Sequence, residues 1–365
     1  MSIEPVARLL EPGRGPWDPE ASDVLICRGV RDETHDVRTF LFESEQPARF
    51  HYEPGQFLTL ELEIDGRTVN RCYTISSAPT RPHLISITVK RTPGGVVSPW
   101  LHQHVRAGSR IKAVGPLGDF TSFRHKASKY LFLSGGSGIT PLMSMARTYH
   151  DLAEARDIVF VHAARSPADI IYRYEQAMMA QTNPHFRAVA ICEADSPTEV
   201  WGGFRGRISL PMLQLIAPDF LEREVFTCGP APFMAAVRAM LAQAGYDMAR
   251  YHEESFDFGT LMADDAAEAA AGPAEPGEQV FKVEFTKSRR VIECGPDTNV
   301  LDAARKAGMR LPSSCTKGLC GTCKSRKLAG EVEMKHQGGI RQREIDQGMV
   351  LICCSKPRSD LVIER

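Results

Sequence analysis

The chain has 365 residues, 43% hydrophobic and 24% charged, with a formal net charge of -1. That length exceeds what one core usually organises and predicts two or three domains, while the near-neutral charge gives no global pull toward nucleic acid or a membrane surface. The opening MSIEPVARLLEPGRGPW puts acids and prolines where a signal peptide needs an apolar run, and no later stretch approaches a membrane span, so a cytoplasmic protein with reduced thiols is expected.

Residues 1–20 read as a loose tail. From 21 to 125, runs rich in Val, Ile, Leu, Phe and Thr (Val37–Phe42, Phe57–Ile64, Arg71–Ser76, Leu84–Lys90, Arg110–Val114) are broken by Gly, Pro and Asp. Strands this short and closely spaced predict an antiparallel barrel or sandwich, interrupted by one helix over Val97–His104. Arg71-Cys72-Tyr73-Thr74 sets Arg71 and Tyr73 on one strand face, a cation beside an aromatic plate. The guanidinium suits a phosphate and the ring a flat heterocycle. Gly94-Gly95-Val96-Val97-Ser98 then opens the helix, whose amide-rich start favours an anion. Either piece alone reads equally well as an exposed Arg on a strand or as a hairpin turn; their succession gives them more weight.

From 126 to 256 strands and helices alternate. Tyr130–Ser134, Ile158–Ala164, Phe186–Cys192 and Val225–Cys228 read as strands, and Pro141–Leu152, Ala168–Ala180 and Pro232–Ala244 as helices. This predicts a parallel sheet covered by helices on both faces. Gly135-Gly136-Ser137-Gly138-Ile139-Thr140-Pro141 joins the first strand to the first helix and lets a pyrophosphate approach backbone amides. It is not the strict G-x-G-x-x-G form. Cys228-Gly229-Pro230 ends the last strand at the carboxyl edge, where such sheets bind ligands, although a cysteine there is by itself ordinary core. Arg165-Ser166, after the second strand, could accept a phosphate.

Residues 257–279 predict a mobile acidic linker, since Gly259–Glu278 contains no aromatic residue, Lys or Arg. From 280 onward, Val280–Phe285 and Arg290–Glu293 suggest a hairpin, and Asp297 or Thr298 caps a helix over Asn299–Ala307. Cys315, Cys320 and Cys323 then form C-x4-C-x2-C, answered far downstream by Cys353-Cys354. A triplet plus a distant fourth cysteine is the ligand spacing of a plant-type [2Fe–2S] cluster; zinc, which usually takes two short pairs, is the alternative. Gly318 and Gly321 let the loop turn its amides toward sulfur. On a strand Cys353 and Cys354 point to opposite faces, so only one reaches the cluster. Cys27, Cys192 and Cys294 read as packing residues. Residues 280–365 carry 17 Lys and Arg against 10 Asp and Glu, a net +7, whereas 251–279 carry eight acids and no Lys or Arg. Lys317, Lys324, Arg326, Lys327 and Lys335 thus form either a solvated basic face or a docking face for an acidic partner.

Arg71-Cys72-Tyr73-Thr74, the G-G-x-G-I-T-P turn, the C-G-P strand end and the cysteine loop together resemble the ferredoxin–NADP reductase superfamily. The resemblance covers all but the tail and linker. It implies an antiparallel β-barrel flavin domain (21–125), an α/β parallel-sheet NAD(P)H domain (126–256) and a C-terminal α+β β-grasp ferredoxin domain (280–365). It puts Arg71 on the flavin phosphates, Tyr73 against the isoalloxazine, Thr74 near the reactive ring nitrogen, and the backbones of Val89 and Lys90 along the ribityl chain. Gly94–Ser98 would hold the pyrophosphate of FAD, with FMN left open. Gly135–Pro141 and Cys228–Pro230 would hold the nicotinamide cofactor, Cys228 lying beside the carbon that gives up hydride. Glu254-Ser255-Phe256 is similar to the segment that brings an aromatic, here Phe256, to the flavin. Arg165 bears on NADH against NADPH, and NADH is expected. Leu351-Ile352-Cys353, with Pro357 after three more residues, matches the ferredoxin ending that makes Cys353 the fourth ligand. The chain is most similar to reductase components of Rieske-type oxygenases that demethylate quaternary amines such as betaines. An acceptor of another kind, such as a hybrid-cluster protein or a different oxygenase, stays open, as does a non-catalytic redox sensor.

Overall fold

Period-two burial builds the first domain. β1 (Val24–Thr34), β2 (Val37–Ser44), β3 (Phe57–Ile64), β4 (Arg67–Thr74), β5 (Ile85–Lys90) and β6 (Arg110–Leu117) pair antiparallel in the order β4-β3-β6-β1-β2-β5. Leu58, Leu60 and Leu62 of β3 alternate into one core with Phe40, Phe42, Ile85 and Ile87. A bridge from Ile75 to Ile87 brings the chain beyond β4 against β5 and closes a barrel rather than a sandwich. The inserted helix, α1 (Val97–His104), buries Val97 and Leu101. These are features of a computed structural model, which describes residues 15–19, 21–255, 280–309, 311, 318, 321, 323–336 and 338–365. The linker, Phe256, Cys315, Cys320 and Lys317 lie outside the described residues.

The second domain is an all-parallel sheet, ordered β10-β9-β8-β7-β11-β12. Its strands are β7 (Lys129–Gly135), β8 (Asp157–Ala164), β9 (Phe186–Cys192), β10 (Phe204–Arg205), β11 (Glu224–Gly229) and β12 (Tyr251–Ser255). Tyr130, Phe132, Ile158 and Phe160 point to one face, under α2 (Ile139–Asp151) and α3 (Arg173–Thr182). Leu131, Leu133, Val159 and Val161 point to the other, under α4 (Leu210–Ile216) and α5 (Ala231–Gln243). Strand order reverses between β7 and β11, so their carboxyl ends flank a crevice. The helix expected over Ala168–Ala180 begins only at Arg173, because Tyr172 sits in the left-handed region at φ 56°. β12 and α4 are not marked by the sequence pattern: β12 is short and mostly polar, and α4 is an apolar run of only seven residues, too short to show a helical period.

The third domain holds β13 (Phe281–Phe285), β14 (Arg290–Cys294), α6 (Val300–Lys306), β15 (Lys324–Ala329), β16 (Val332–Met334), α7 (Gln342–Asp346), β17 (Met349–Leu351), β18 (Ser355–Pro357) and β19 (Leu361–Glu364). A mixed sheet, β14-β13-β19-β15-β17, grips α6 through Val300, Leu301 and Ala304, in the β-grasp manner. The N-cap of α6 is Asn299, not Asp297 or Thr298, and its amide donates to Asp302 instead of capping the backbone. Among the described residues no helix is long and apolar enough to cross a membrane.

Candidate functional site

The strand bearing Arg71, Cys72, Tyr73 and Thr74 is β4, paired residue by residue with β3. Arg71 is half-buried and makes no hydrogen bond or ion pair with any described residue, and its guanidinium has the fork that suits an anion. Tyr73 packs against the barrel core and burial raises its hydroxyl pKa, while Cys72, on the opposite face, meets Thr59 Oγ1 at 3.4 Å. Thr74 Oγ1 is buried without a partner, a cost that a bound acceptor or donor would remove. A cation without a partner among the described residues and an orphaned hydroxyl, both on one strand, fit a flavin carrying phosphate. Gly94 turns at φ +73°, and Ser98 Oγ accepts from Thr92 N at 3.0 Å, locking the turn that starts α1. Val96 is exposed at this turn and Val97 buried. On β5 the Val89 carbonyl accepts from the His102 ring at 2.9 Å, and Lys90 pairs with Asp36 at 3.4 Å.

At the crevice, Gly135 packs against Gly229 and Gly138 against Cys228, while Gly136 between them turns at φ +51° into open space. A Cβ on Gly138 would stand 2.2 Å from the Cys228 carbonyl oxygen, so only glycine allows this approach. Ile139, Thr140 and Pro141 form the first turn of α2, with Thr140 donating to Ser137 O at 3.2 Å, and Pro230 precedes α5. Cys228 is fully buried and burial pushes its thiol pKa well up. Its cross-strand neighbour Glu254 is half-buried as a residue, but its Oε2 is buried without a partner, and this burial pushes the carboxyl up to about 8. Arg165, though largely exposed, is engaged by carboxylates: it holds Asp169 at 2.6 Å and Asp36 at 3.4 Å, while Ser166 donates to the other Asp169 oxygen at 2.7 Å. Burial would raise the Asp169 carboxyl, but Ser166 and Arg165 hold it below its ordinary value.

Nothing in the residue pattern singled out the group that joins these two halves. Arg147 of α2 holds Glu175 through two bonds of 2.7 and 2.6 Å, lies 4.4 Å from the Tyr172 ring centroid, and donates to Ser76 O just past the flavin strand. Ser144 donates to Ser77 O at 2.6 Å. His162 was passed over too, its strand reading as plain core. Ser134 Oγ lies 2.8 Å from its Nδ1, its Nε2 is buried without a partner, and burial pushes its pKa down to about 3.

Cys323 and Cys353 are buried with their sulfurs 3.1 Å apart. That is too long for a disulfide, near 2.04 Å, and within reach of a shared metal. Cys354 donates to Leu351 O at 3.5 Å, with its sulfur beside Gly318 and next to Cys353. Gly318 and Gly321 have φ +71° and +68°, and a Cβ on Gly321 would reach Gly339 O at 2.7 Å. The loop rests on the barrel: Asn70, beside Arg71, donates to Gly321 O at 3.0 Å. Next to it Glu61 pairs with Lys324 at 2.9 Å and Arg341 at 3.0 Å, and Asp23 with Arg343 at 2.6 Å. Burial would raise the Glu61 carboxyl, but the two cations outweigh it and lower it. Lys324 thus faces inward at 8% exposure and is not part of a free basic face, while Arg326 is exposed and Lys335 pairs with Glu333 at 2.9 Å. Lys327 is spent locally on Gly330 O.

Comparison with known proteins agrees with this layout. Residues 28–122 match the oxidoreductase FAD-binding domain, 132–239 the oxidoreductase NAD-binding domain, and 283–358 the 2Fe-2S iron-sulfur cluster binding domain. The chain is 50% identical over 346 residues to the glycine betaine monooxygenase reductase subunit of Pseudomonas aeruginosa, covering 93% of this chain and 94% of that one. It is 43% identical over 344 residues to the stachydrine N-demethylase reductase subunit of Rhizobium meliloti, covering 94% and 96%. In fold it is similar to phthalate dioxygenase reductase, with a TM-score of 0.56 and 23% identity over 96% of this chain and 100% of that one. The chain belongs to the ferredoxin–NADP reductase superfamily and, within it, to the family of glycine betaine monooxygenase and stachydrine N-demethylase reductase subunits.

Proposed function

We propose that this reductase takes electrons from NADH and delivers them singly, through FAD and a [2Fe–2S] cluster, to a cytoplasmic Rieske-type oxygenase that demethylates a betaine-like quaternary amine. The observation that carries it is the position of one strand: β4 touches the cluster loop through Asn70, and its continuation is held to the nucleotide helix through Ser76 and Arg147. A bound flavin accepts two electrons as hydride and releases them one at a time, which a one-electron cluster requires.

The chain's own groups have these roles. Arg71 holds phosphate, Tyr73 lies along the ring, and Thr74 supplies the hydroxyl at the reacting edge. Val89 and Lys90 line the ribityl side, and Gly94, Gly95, Val96, Val97 and Ser98 carry the pyrophosphate. Gly135, Gly136, Gly138, Ile139, Thr140, Pro141, Gly229 and Pro230 form the nicotinamide cofactor's bed, with Cys228 beside its ring, and Phe256 serves the flavin. Cys315, Cys320, Cys323 and Cys353 bind iron. The units span 21–125, 126–256 and 280–365, joined by the acidic linker 257–279. NADH is favoured because Asp169 and Asp36 already neutralise Arg165, so a 2′-phosphate would meet two carboxylates. Asp169→Asn should therefore raise kcat/KM for NADPH relative to NADH; an unchanged ratio would remove Arg165 from cofactor choice.

An acidic acceptor surface meets the ferredoxin domain on its basic face, which Lys324 and Arg341 join once the domain leaves Glu61. The test is anaerobic addition of NADH to purified protein, then NADH-coupled turnover of glycine betaine or stachydrine with the cognate oxygenase. Flavin and cluster bands that fail to bleach would end the electron-transfer reading. Bleaching without amine turnover would end only the betaine assignment.

A further inference from the structure

A second cluster of metal-binding side chains lies at the opposite, amino-terminal edge of the parallel sheet. His125 comes from the segment joining barrel to sheet, Glu224 is the first residue of β11, and His252 lies on β12 beside it. Their ligand atoms all lie within 4.8 Å of one another. His252 Nε2 and Glu224 Oε1 are 2.6 Å apart, and the two imidazoles overlap with centroids 3.7 Å apart at 32°. Phe226 backs both rings, at 6.0 Å from His125 and 4.7 Å from His252. Arg250 Nε occupies only the other carboxylate oxygen, Oε2, at 3.2 Å, fixing Glu224 and leaving Oε1 to the imidazoles.

We infer that His125, Glu224 and His252 bind a late first-row divalent cation of the Zn2+ class, with water completing the shell. Two imidazoles and one carboxylate suit Zn2+, with Ni2+ and Cu2+ as competitors, and do not suit Mg2+ or Ca2+. Bonds of about 2.0–2.1 Å give a tetrahedral edge of about 3.4 Å, so the ion enters by displacing the His252–Glu224 proton and turning the two stacked imidazoles apart until a nitrogen of each aims at it. The Arg250 charge weakens the site but also orients its ligand, as outer partners do. By contrast, His35, Asp36 and Asp169 also converge, but Arg165 and Lys90 already fill that group. The ion would clip the barrel–sheet junction to the last strand, β12, away from the nucleotide crevice.

The test uses the full chain loaded with flavin and cluster. Zn2+ is titrated against a chromophoric chelator, with Co2+ as a second probe. The unaltered protein should take one Zn2+ beyond the cluster iron, and Co2+ should show N/O ligation without a thiolate charge-transfer band. His125→Asn and His252→Asn should each weaken binding at least about tenfold. Their flavin and cluster absorption and NADH-driven ferricyanide reduction should be unchanged, which separates loss of the site from loss of the fold. If one variant fails to load its cofactors, the other carries the comparison, with exposed His125 also tested as His125→Gln. No Zn2+ uptake up to roughly 0.1 mM, a thiolate band with Co2+, or equal affinity in the variants overturns the assignment.

Discussion

Cys353 and Cys354 are adjacent, carry the same side chain, and have opposite surroundings. Cys353 lies 3.1 Å from Cys323, whereas the Cys354 sulfur bonds Leu351 O and leans on Gly318. Cys353→Ser should abolish the cluster's visible absorption and Cys354→Ser should leave it, with flavin retained in both. Glu254 offers a prediction in pH. Burial raises its carboxyl from 4.5 to about 8, so the folded state keeps a proton that the unfolded state releases. The contribution is therefore full below 4.5 and is lost as pH rises through 8, on the order of 5 kcal/mol at most. Urea unfolding at pH 6 and pH 9 should show the native protein losing more stability than Glu254→Gln; equal losses would mean that Glu254 is already ionised at pH 6. The sequence displayed Cys353 through its spacing. It did not display Glu254's state, because a glutamate's pKa depends on what surrounds it in three dimensions.

At the scale of elements, α2 joins the two nucleotide-handling halves. Its first turn follows the glycine turn at the crevice, and two turns later Ser144 and Arg147 hold the backbone at Ser77 and Ser76. Arg147 is three residues from Ser144, hence on the same helix face. Arg147→Met would strand Glu175 and free the end of the flavin strand. Breaking such a pair costs about 3–5 kcal/mol when buried, and less here because Glu175 is 31% exposed. NADH-driven flavin reduction in stopped flow should slow in Arg147→Met even where the protein stays folded. Adding Glu175→Gln should restore stability more than rate, and full recovery of rate would reduce Arg147 to a structural part. The helix itself was legible from apolar period and Pro141. The bolt was not, since Arg147 and Ser76 are 71 positions apart. The late start of α3 has the same origin: Tyr172 is held by Thr88 and Arg147 in a conformation that its local sequence does not call for.

At the scale of the whole molecule, the ferredoxin domain sits on the barrel through a small number of charged side chains. Lys324 and Arg341 are 8% and 3% exposed and share Glu61, with Glu344 as a second partner for both. Glu61→Gln leaves two cations facing a neutral amide, so the docked pose should be less populated. In stopped flow, flavin reduction by NADH should keep its rate while cluster reduction slows several-fold. Added salt should slow the native protein less than it would a purely surface contact, because buried pairs are screened less. Cluster reduction unchanged in Glu61→Gln would mean that this interface does not govern the internal transfer.

Sequence alone determined the three-part order, the barrel and parallel-sheet classes, and the glycine and cysteine motifs, because each rests on residues close together along the chain. Backbone freedom at Gly136 or Gly321 and ligand spacing at Cys315–Cys323 are local properties, readable without a fold. Only the tertiary structure decided which charges are spent. It turned Lys324 inward to Glu61, tied Arg165 to Asp36 and Asp169, joined Arg147 to the flavin strand, and gathered His125, Glu224 and His252. Apart from the local Arg165–Asp169 pair, these outcomes join residues tens to hundreds of positions apart. Their energies depend on distance and desolvation, which a linear pattern does not contain.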